Sequence, residues 1–191
     1  MISGRLRFTG KDTLVEFGRM LKYFASMPSV HYKNFMKNKI NYEICCLSDV
    51  DDLDVKFYQN DMLFGGNSIF KETNDDVFPE DNYVMKKTVT LDTLVNNRNI
   101  PYPDLIKIDC QANELNILKG ATQCLKCCSY LIVELQEIEY NRGGPLKDEV
   151  IDYLKSIGYM LFSEKFSKNI ADAVYAFVNT YRTNYILNSL N

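Results

Sequence analysis

Short apolar runs alternate with stretches in which apolar residues return every three or four positions. Leu105-Ile106-Lys107-Ile108-Asp109-Cys110 and Tyr130-Leu131-Ile132-Val133-Glu134-Leu135 are short, apolar and β-branched, as buried parallel strands are. Between them Leu115, Leu118, Ala121 and Leu125 recur on one helical face. That spacing predicts a single helix from about Asn113 to Lys126, with Asn113 as its N-cap. The three elements form a βαβ unit with a right-handed crossover. A second helix carries Leu146, Val150, Tyr153, Leu154 and Ile157 as its stripe. Pro145 suits its first turn, Asp148 and Glu149 suit the positive end of its dipole, and Gly158 is its stop. Tyr159–Ser163 and Ala173–Asn179 read as strands that pair as an antiparallel hairpin across Glu164–Asp172.

Upstream, Tyr42–Leu47 and Asp54–Tyr58 read as strands joined by a polar turn over Ser48–Leu53. Gly65-Gly66-Asn67-Ser68 is a polar loop, and Thr90 caps a short helix through Asn97. In the first forty residues, Arg5–Phe8 reads as a strand and Asp12 caps a helix carrying Leu14, Phe17 and Leu21. Lys22–Met27 then reads as a strand and Pro28 to Asn38 as a helix. Alternating strands and helices predict an α/β domain with a parallel sheet covered by helices. No linker or repeat divides residues 1–191, so a single domain is expected.

Composition narrows the function classes. The chain is 46% hydrophobic and 25% charged with a net charge of −3, acids and bases interspersed. A nucleic-acid partner would call for a basic face. No apolar run approaches the roughly 20 residues that cross a bilayer, and Met1 to Gly10 lacks the apolar core of a signal peptide. A cytoplasmic location without a membrane partner is therefore expected. Cys45, Cys46, Cys110, Cys124, Cys127 and Cys128 fall mostly in apolar segments and read as reduced core residues. The C-x-x-C-C run at Cys124 lacks a second cysteine pair, and His31 is the sole histidine, so no metal site is predicted. His31 itself reads as a surface residue in a polar stretch.

Several motifs stand in a fixed order. Thr90-Leu91-Asp92-Thr93-Leu94, Pro103-Asp104-Leu105-Ile106-Lys107-Ile108-Asp109 and Glu114-Leu115-Asn116-Ile117-Leu118-Lys119-Gly120-Ala121 resemble the signature of the FkbM family of S-adenosylmethionine-dependent methyltransferases. Ile132-Val133-Glu134-Leu135 resembles that family's next strand, and Asp172-Ala173-Val174-Tyr175 its last. Ser48-Asp49 followed by Val55-Lys56-Phe57-Tyr58 resembles its S-D…F-Y hairpin, and Gly65-Gly66-Asn67-Ser68 its serine-rich loop.

The resemblance covers roughly residues 40 to 180. It implies a Rossmann-like class I methyltransferase sheet, mostly parallel with an antiparallel C-terminal strand and helices on both faces. It implies an O-methyltransferase acting on a sugar or other small alcohol hydroxyl, with S-adenosyl-L-methionine as cofactor and a small-molecule or glycan acceptor. Ligands of such sheets sit outside the carboxyl ends of the strands. Asp109 lies at such an end, either as a turn aspartate or, on the family pattern, as a catalytic base and cofactor contact. Glu114 and Glu134 are further catalytic candidates; the bland readings are a first-turn acid and a salt-bridged strand carboxylate. Gly10, Met27, Ser48 and Asp49 are the remaining cofactor-binding candidates, and Ser68, Gln111 and Gln136 the substrate-binding ones.

Three departures from the family pattern stand out. The opening D-x-G-x-x-x-G turn has only Thr9-Gly10 and Glu16-x-Gly18 as poor counterparts. Met27 stands where an acid would bind the cofactor's ribose, a loss of about 1.5–3 kcal/mol and so about 10- to 100-fold in affinity. The acid-glycine pair after the central aspartate is Gln111-Ala112, and a histidine after V-E-L is Gln136. The competing reading is a catalytically inactive methyltransferase-like scaffold, which predicts no cofactor binding and a homo-oligomer or other assembly. A dinucleotide oxidoreductase would need a G-x-G-x-x-G turn, and the sequence contains none.

Overall fold

The computed structural model describes residues 15–16, 21–24, 41–60, 66–166 and 172–182. The expected strand at Arg5–Phe8, the expected helix at Pro28 to Asn38, Gly10, Met27 and His31 lie outside them. Strands β1 (Val15–Glu16), β2 (Leu21–Phe24) and β3 (Asn41–Ile44) form one sheet in that order. Val15–Glu16 and Leu21 are therefore extended, not parts of the helix expected after Asp12. Cys45 separates β3 from β4 (Cys46–Leu47), so the single strand expected over Tyr42–Leu47 leaves one sheet and enters another.

That second sheet has the order β4, β6 (Tyr83–Val89), β5 (Asp54–Tyr58). β6 lies between the other two, parallel to β4 and antiparallel to β5. The turn at Ser48–Leu53 therefore does not join a hairpin pair. Thr88 secures it instead: its hydroxyl donates to Val50 O at 2.6 Å and accepts from Leu53 N at 3.1 Å.

Helix α1 (Leu91–Asn97) follows, with the Thr90 side chain accepting from Thr93 N as its cap. β7 (Leu105–Ile108) and β8 (Tyr130–Gln136) are parallel and form the predicted βαβ unit. Their connection is two helices, α2 (Glu114–Lys119) and α3 (Thr122–Cys127), where one was expected. The break falls at Gly120-Ala121. Asp92 accepts from Gln123 N at 2.7 Å and Cys124 N at 2.9 Å, which caps α3 as a new helix. Gly120 O accepts from Asp92 N at 3.2 Å, so α1 fixes both sides of the break. Asn113 makes no side-chain cap bond; its amide donates to Leu47 O at 2.8 Å and ties α2 to β4.

Helix α4 (Lys147–Ser156) buries Val150 and Leu154, and Gly158 ends it at φ 89°. β9 (Tyr159–Phe166) and β10 (Asp172–Asn179) pair antiparallel as expected, with β10 inserted between β8 and β9. Each of the three sheets is mixed, with one parallel contact or more offset by a reversed strand, so the expectation of a mostly parallel sheet is corrected. For the last sheet a short connection is the reason: the span from Phe166 to Asp172 is too short for a parallel crossover, which needs about a dozen residues or more. In the last sheet β10 is the one reversed strand, in keeping with the expected antiparallel C-terminal strand.

Register aligns the core across this sheet. Ile106, Leu131 and Phe177 make one row, and Ile108, Val133 and Tyr175 the next. All six are at most 1% exposed, and α2, α3 and α4 contribute Leu115, Leu118, Leu125, Val150 and Leu154 to the same cluster. Tyr159 hydroxyl and the Asn179 amide both donate to Leu125 O and Cys128 O, satisfying the C-terminal carbonyls of α3.

Candidate active site at the strand ends

After Ile108 the chain turns through Asp109, Cys110, Gln111 and Ala112 before α2 opens at Glu114, and every residue of that turn is buried. Ile108 is in register with Val133, so the turn and the end of β8 at Gln136 share one edge of the sheet. Gln111 and Ala112 have φ of 52° and 73°. The left-handed region costs an L-residue about 1–2 kcal/mol, and Ala112 occupies it without the side-chain hydrogen bonding that helps Asn or Asp.

Asp109 is 5% exposed, and its Oδ2 pairs with Lys107 Nζ at 2.6 Å. Residues two apart on a strand share a face, which brings the two side chains together. The pair is nearly buried, so either member without the other would be a costly lone charge. Glu114 turns back on the same loop: its Oε1 accepts from Cys110 N at 2.9 Å and from the Cys110 thiol at 3.4 Å. Burial pushes the Glu114 carboxyl up to about 7 and the Cys110 thiol well above its ordinary value. In this arrangement Glu114 holds the turn that carries Asp109. Glu134 is half-buried on β8 in register with Val174, on the opposite face from Val133 and Leu135, and is engaged by a neighbour.

Two loops close over the turn. Ser68 donates through Oγ to Gln111 O at 2.6 Å and accepts from Phe70 N at 3.1 Å. From β8 onward, Gln136 Oε1 accepts from Tyr140 N at 3.2 Å and Asn141 N at 3.3 Å. Asn141 Nδ2 donates to Phe70 O at 2.8 Å, and Arg142 N donates to Lys71 O at 2.7 Å, which fastens the loops together. Arg142 also grips both Asp75 oxygens, at 2.7 and 2.8 Å, and the buried Lys71 ammonium pairs with the same carboxylate. Gly144 sits against the turn: a Cβ there would lie 2.4 Å from Ala112 Cβ and 3.2 Å from Gln136 Nε2.

The structure thus gathers Asp109, Glu114, Gln111, Ser68 and Gln136 at one edge. Ser48 and Asp49 are built into a different junction. Ser48 is 2% exposed, donates its hydroxyl to Asp49 Oδ1 at 3.0 Å and its N–H to Val89 O at 3.0 Å. Its carbonyl lies so close to Gly120 that a Cβ there would sit 2.1 Å from it. Asp51 completes the junction by accepting from Thr90 N at 2.6 Å and Thr93 Oγ1 at 2.8 Å, bonds that hold its carboxyl below its ordinary value. Much of the T-L-D and K-G-A motif chemistry is therefore helix capping and close packing.

Lys107 and Asn141 are site residues that the sequence pattern did not single out. Lys107 had a readable signal, a cation two positions before Asp109 on a strand. Asn141 had none, because its contacts are to a loop distant in sequence. Among the described residues no cluster of three or more histidine, cysteine or acidic side chains could hold a metal, and no helix is long and apolar enough to cross a membrane. All six cysteines are free thiols, four of them buried.

A family model described as the methyltransferase FkbM domain matches residues 19–161. The hexuronic acid methyltransferase AglP of Haloferax volcanii is 39% identical over 49 residues, which are 26% of this chain and 20% of that protein. The aligned stretch thus spans about a fifth of the relative's length. No solved structure matches.

Proposed function

The chain belongs to the FkbM methyltransferase family, and from that premise we propose that it is an S-adenosyl-L-methionine-dependent O-methyltransferase acting on a sugar or other small alcohol hydroxyl. The observation that carries the reading is the Lys107–Asp109 pair at the carboxyl end of β7, where ligands of α/β sheets bind. The β7–α2–α3–β8 unit and the reversed last strand support a Rossmann-like core. The relative whose name specifies a hexuronic acid supports a sugar as acceptor.

When bound, the cofactor supplies a methyl group on a sulfonium. A buried carboxylate at the strand end suits that positive charge, so Asp109 is the described residue that fits the cofactor best. In the transfer, Asp109 takes the proton of the acceptor hydroxyl. Lys107 occupies Oδ2, so Oδ1 is the atom that receives it. Glu114 fixes the backbone at Cys110, and Ser68 fixes it at Gln111, so both position Asp109 from behind. Ser48 and Asp49 contribute by setting where β4 meets α2. Gln111 and Gln136 are assigned to the acceptor side.

The test is release of S-adenosylhomocysteine from purified protein given S-adenosylmethionine with neutral sugars or uronic acids. Turnover should fall at least about 100-fold in Asp109→Asn, the loss expected of a general base. A folded protein that neither turns over nor binds the cofactor would support the scaffold reading instead. The Gln111-Ala112 turn, filled where the family pattern has an acid and a glycine, is the observation that favours that alternative.

A further inference from the structure

A cavity of about 360 Å³ lies between α3 and α4, away from the Asp109 turn. Sites for small molecules begin at about 300 Å³, and a cavity of roughly 150 Å³ holds one benzene ring. Helical spacing builds two of its walls. Thr122 and Lys126 are four apart on α3, and Tyr153 on α4 is four before the C-cap Ile157, so each pair shares a face. Tyr159 and Asn179 also line it, with their donors spent on the Leu125 and Cys128 carbonyls. Tyr181 lines it while 73% exposed, yet its position is set. Its N–H donates to Asn179 Oδ1 at 3.1 Å, and a Cβ on Gly158 would come within 2.1 Å of its ring. Only a glycine at 158 leaves room for that ring, so the cavity is shaped before any ligand arrives.

Charge narrows the occupant. Among the described residues no acidic side chain lines the cavity, whereas Lys126 does and makes no ion pair. Arg182 adds a second cation beside it: its buried Nε has no partner among the described residues. Burial pushes the Tyr159 phenol up, and the Arg182 charge pulls against that rise. We propose that this cavity binds a bicyclic aromatic anion, with its rings among Tyr153, Tyr159 and Tyr181 and its carboxylate at Lys126. Three tyrosine rings favour an aromatic guest through edge and face contacts. The volume fits two fused rings, and an unpaired cation at an otherwise apolar cavity calls for an anion. The site is separate from the methyl-transfer reading. Tyr159 pairs with Asn179 just beyond the Tyr130 end of β8, whereas the Asp109 turn lies at the Gln136 end, about 20 Å along the strand.

The experiment is a nitrogen-15 NMR titration of the full chain with 2-naphthoate. It is repeated with 2-naphthylmethanol, a neutral counterpart, and with S-adenosylhomocysteine in excess. The expected result is one saturable isotherm for naphthoate at sub-millimolar strength. The backbone amides of Thr122–Lys126 and of Gly158 should shift, and those of Asp109–Ala112 should not. The alcohol should bind about twofold to fivefold more weakly, a difference that shrinks in Lys126→Gln. Tyr181→Ala removes an exposed ring, so the fold should persist while naphthoate affinity falls about twofold to tenfold. Affinity should be the same with and without S-adenosylhomocysteine. No saturable binding by the folded wild type at millimolar naphthoate, or an affinity indifferent to both substitutions, would overturn the site. An alcohol bound as tightly as the acid would overturn the assignment of an anion. Competition with S-adenosylhomocysteine, with shifts at the Asp109 turn, would place the ring at the other edge of the sheet and overturn the proposal as well.

Discussion

Replacing Ala112 by glycine should leave the stability of the protein nearly unchanged, although it deletes a buried methyl group. Ala112 is 1% exposed and sits at φ 73°, where an L-residue loses about 1–2 kcal/mol. Glycine removes that strain but adds freedom to the unfolded chain, which takes back about 0.4–1 kcal/mol. The lost buried methyl takes back about 0.8 kcal/mol more, so the net expectation is a change within about 1 kcal/mol of zero, or within about 4 °C in Tm for a chain of this size. The opposing Gly144 gives a sharper version of the same test. In Gly144→Ala the new Cβ would stand 2.4 Å from Ala112 Cβ, an overlap that costs about 1–3 kcal/mol. With Ala112→Gly already present, that overlap vanishes and the remaining neighbours are 3.2 Å away. Urea unfolding of the four proteins should therefore show a coupling of about 1 kcal/mol or more at unchanged m-value. Additive effects, or a loss well over about 1 kcal/mol in Ala112→Gly, would refute the left-handed turn and its contact with Gly144.

Three further outcomes follow from the same contacts. Lys107→Met leaves the Asp109 carboxylate buried without its cation and should cost about 3–5 kcal/mol in denaturant unfolding; a loss under about 1 kcal/mol would mean that the pair is solvated. Asp92→Ala removes both caps of α3 and should cost about 0.5–2 kcal/mol while leaving S-adenosylhomocysteine affinity unchanged, as calorimetry would show. Glu114 has a folded pKa of about 7 against an ordinary 4.5, so the folded state holds its proton more tightly than the unfolded chain. Its share of stability is therefore full below the unfolded value, declines as pH rises between the two, and ends about 3 kcal/mol lower above the folded one. Glu114→Gln should flatten that decline in melts recorded across pH, and an unchanged slope would assign it to another group.

The sequence revealed the second half of the fold well because its apolar runs are dense and its stops are explicit. β7, β8, α4 and the β9–β10 hairpin were all legible. Tyr83–Val89 was not, because Lys86 and Lys87 interrupt it and six of its seven residues are exposed or half-buried, leaving no clear alternation. The Asn113–Lys126 helix read as continuous because its stripe runs through Gly120-Ala121; the break depends on Asp92 and Ser48, distant residues that a local pattern does not register. The site was half legible. Asp109 follows from its place at a strand end, whereas the Lys107 partner needed the strand's two-residue period to be applied to polar positions as well. Ser48 and Asp49 show the opposite failure, since a family motif drew attention to residues whose contacts in the structure join β4 to β6 and to the end of α2.

The most direct test of the central claim is calorimetric titration of the full chain with S-adenosylhomocysteine, in the wild type and in Asp109→Asn and Asp109→Ala. Saturable one-site binding at micromolar strength, weakened in both variants while circular dichroism shows them folded, is the predicted result. No heat from a folded wild-type sample at millimolar ligand would contradict it and leave a methyltransferase fold without its cofactor.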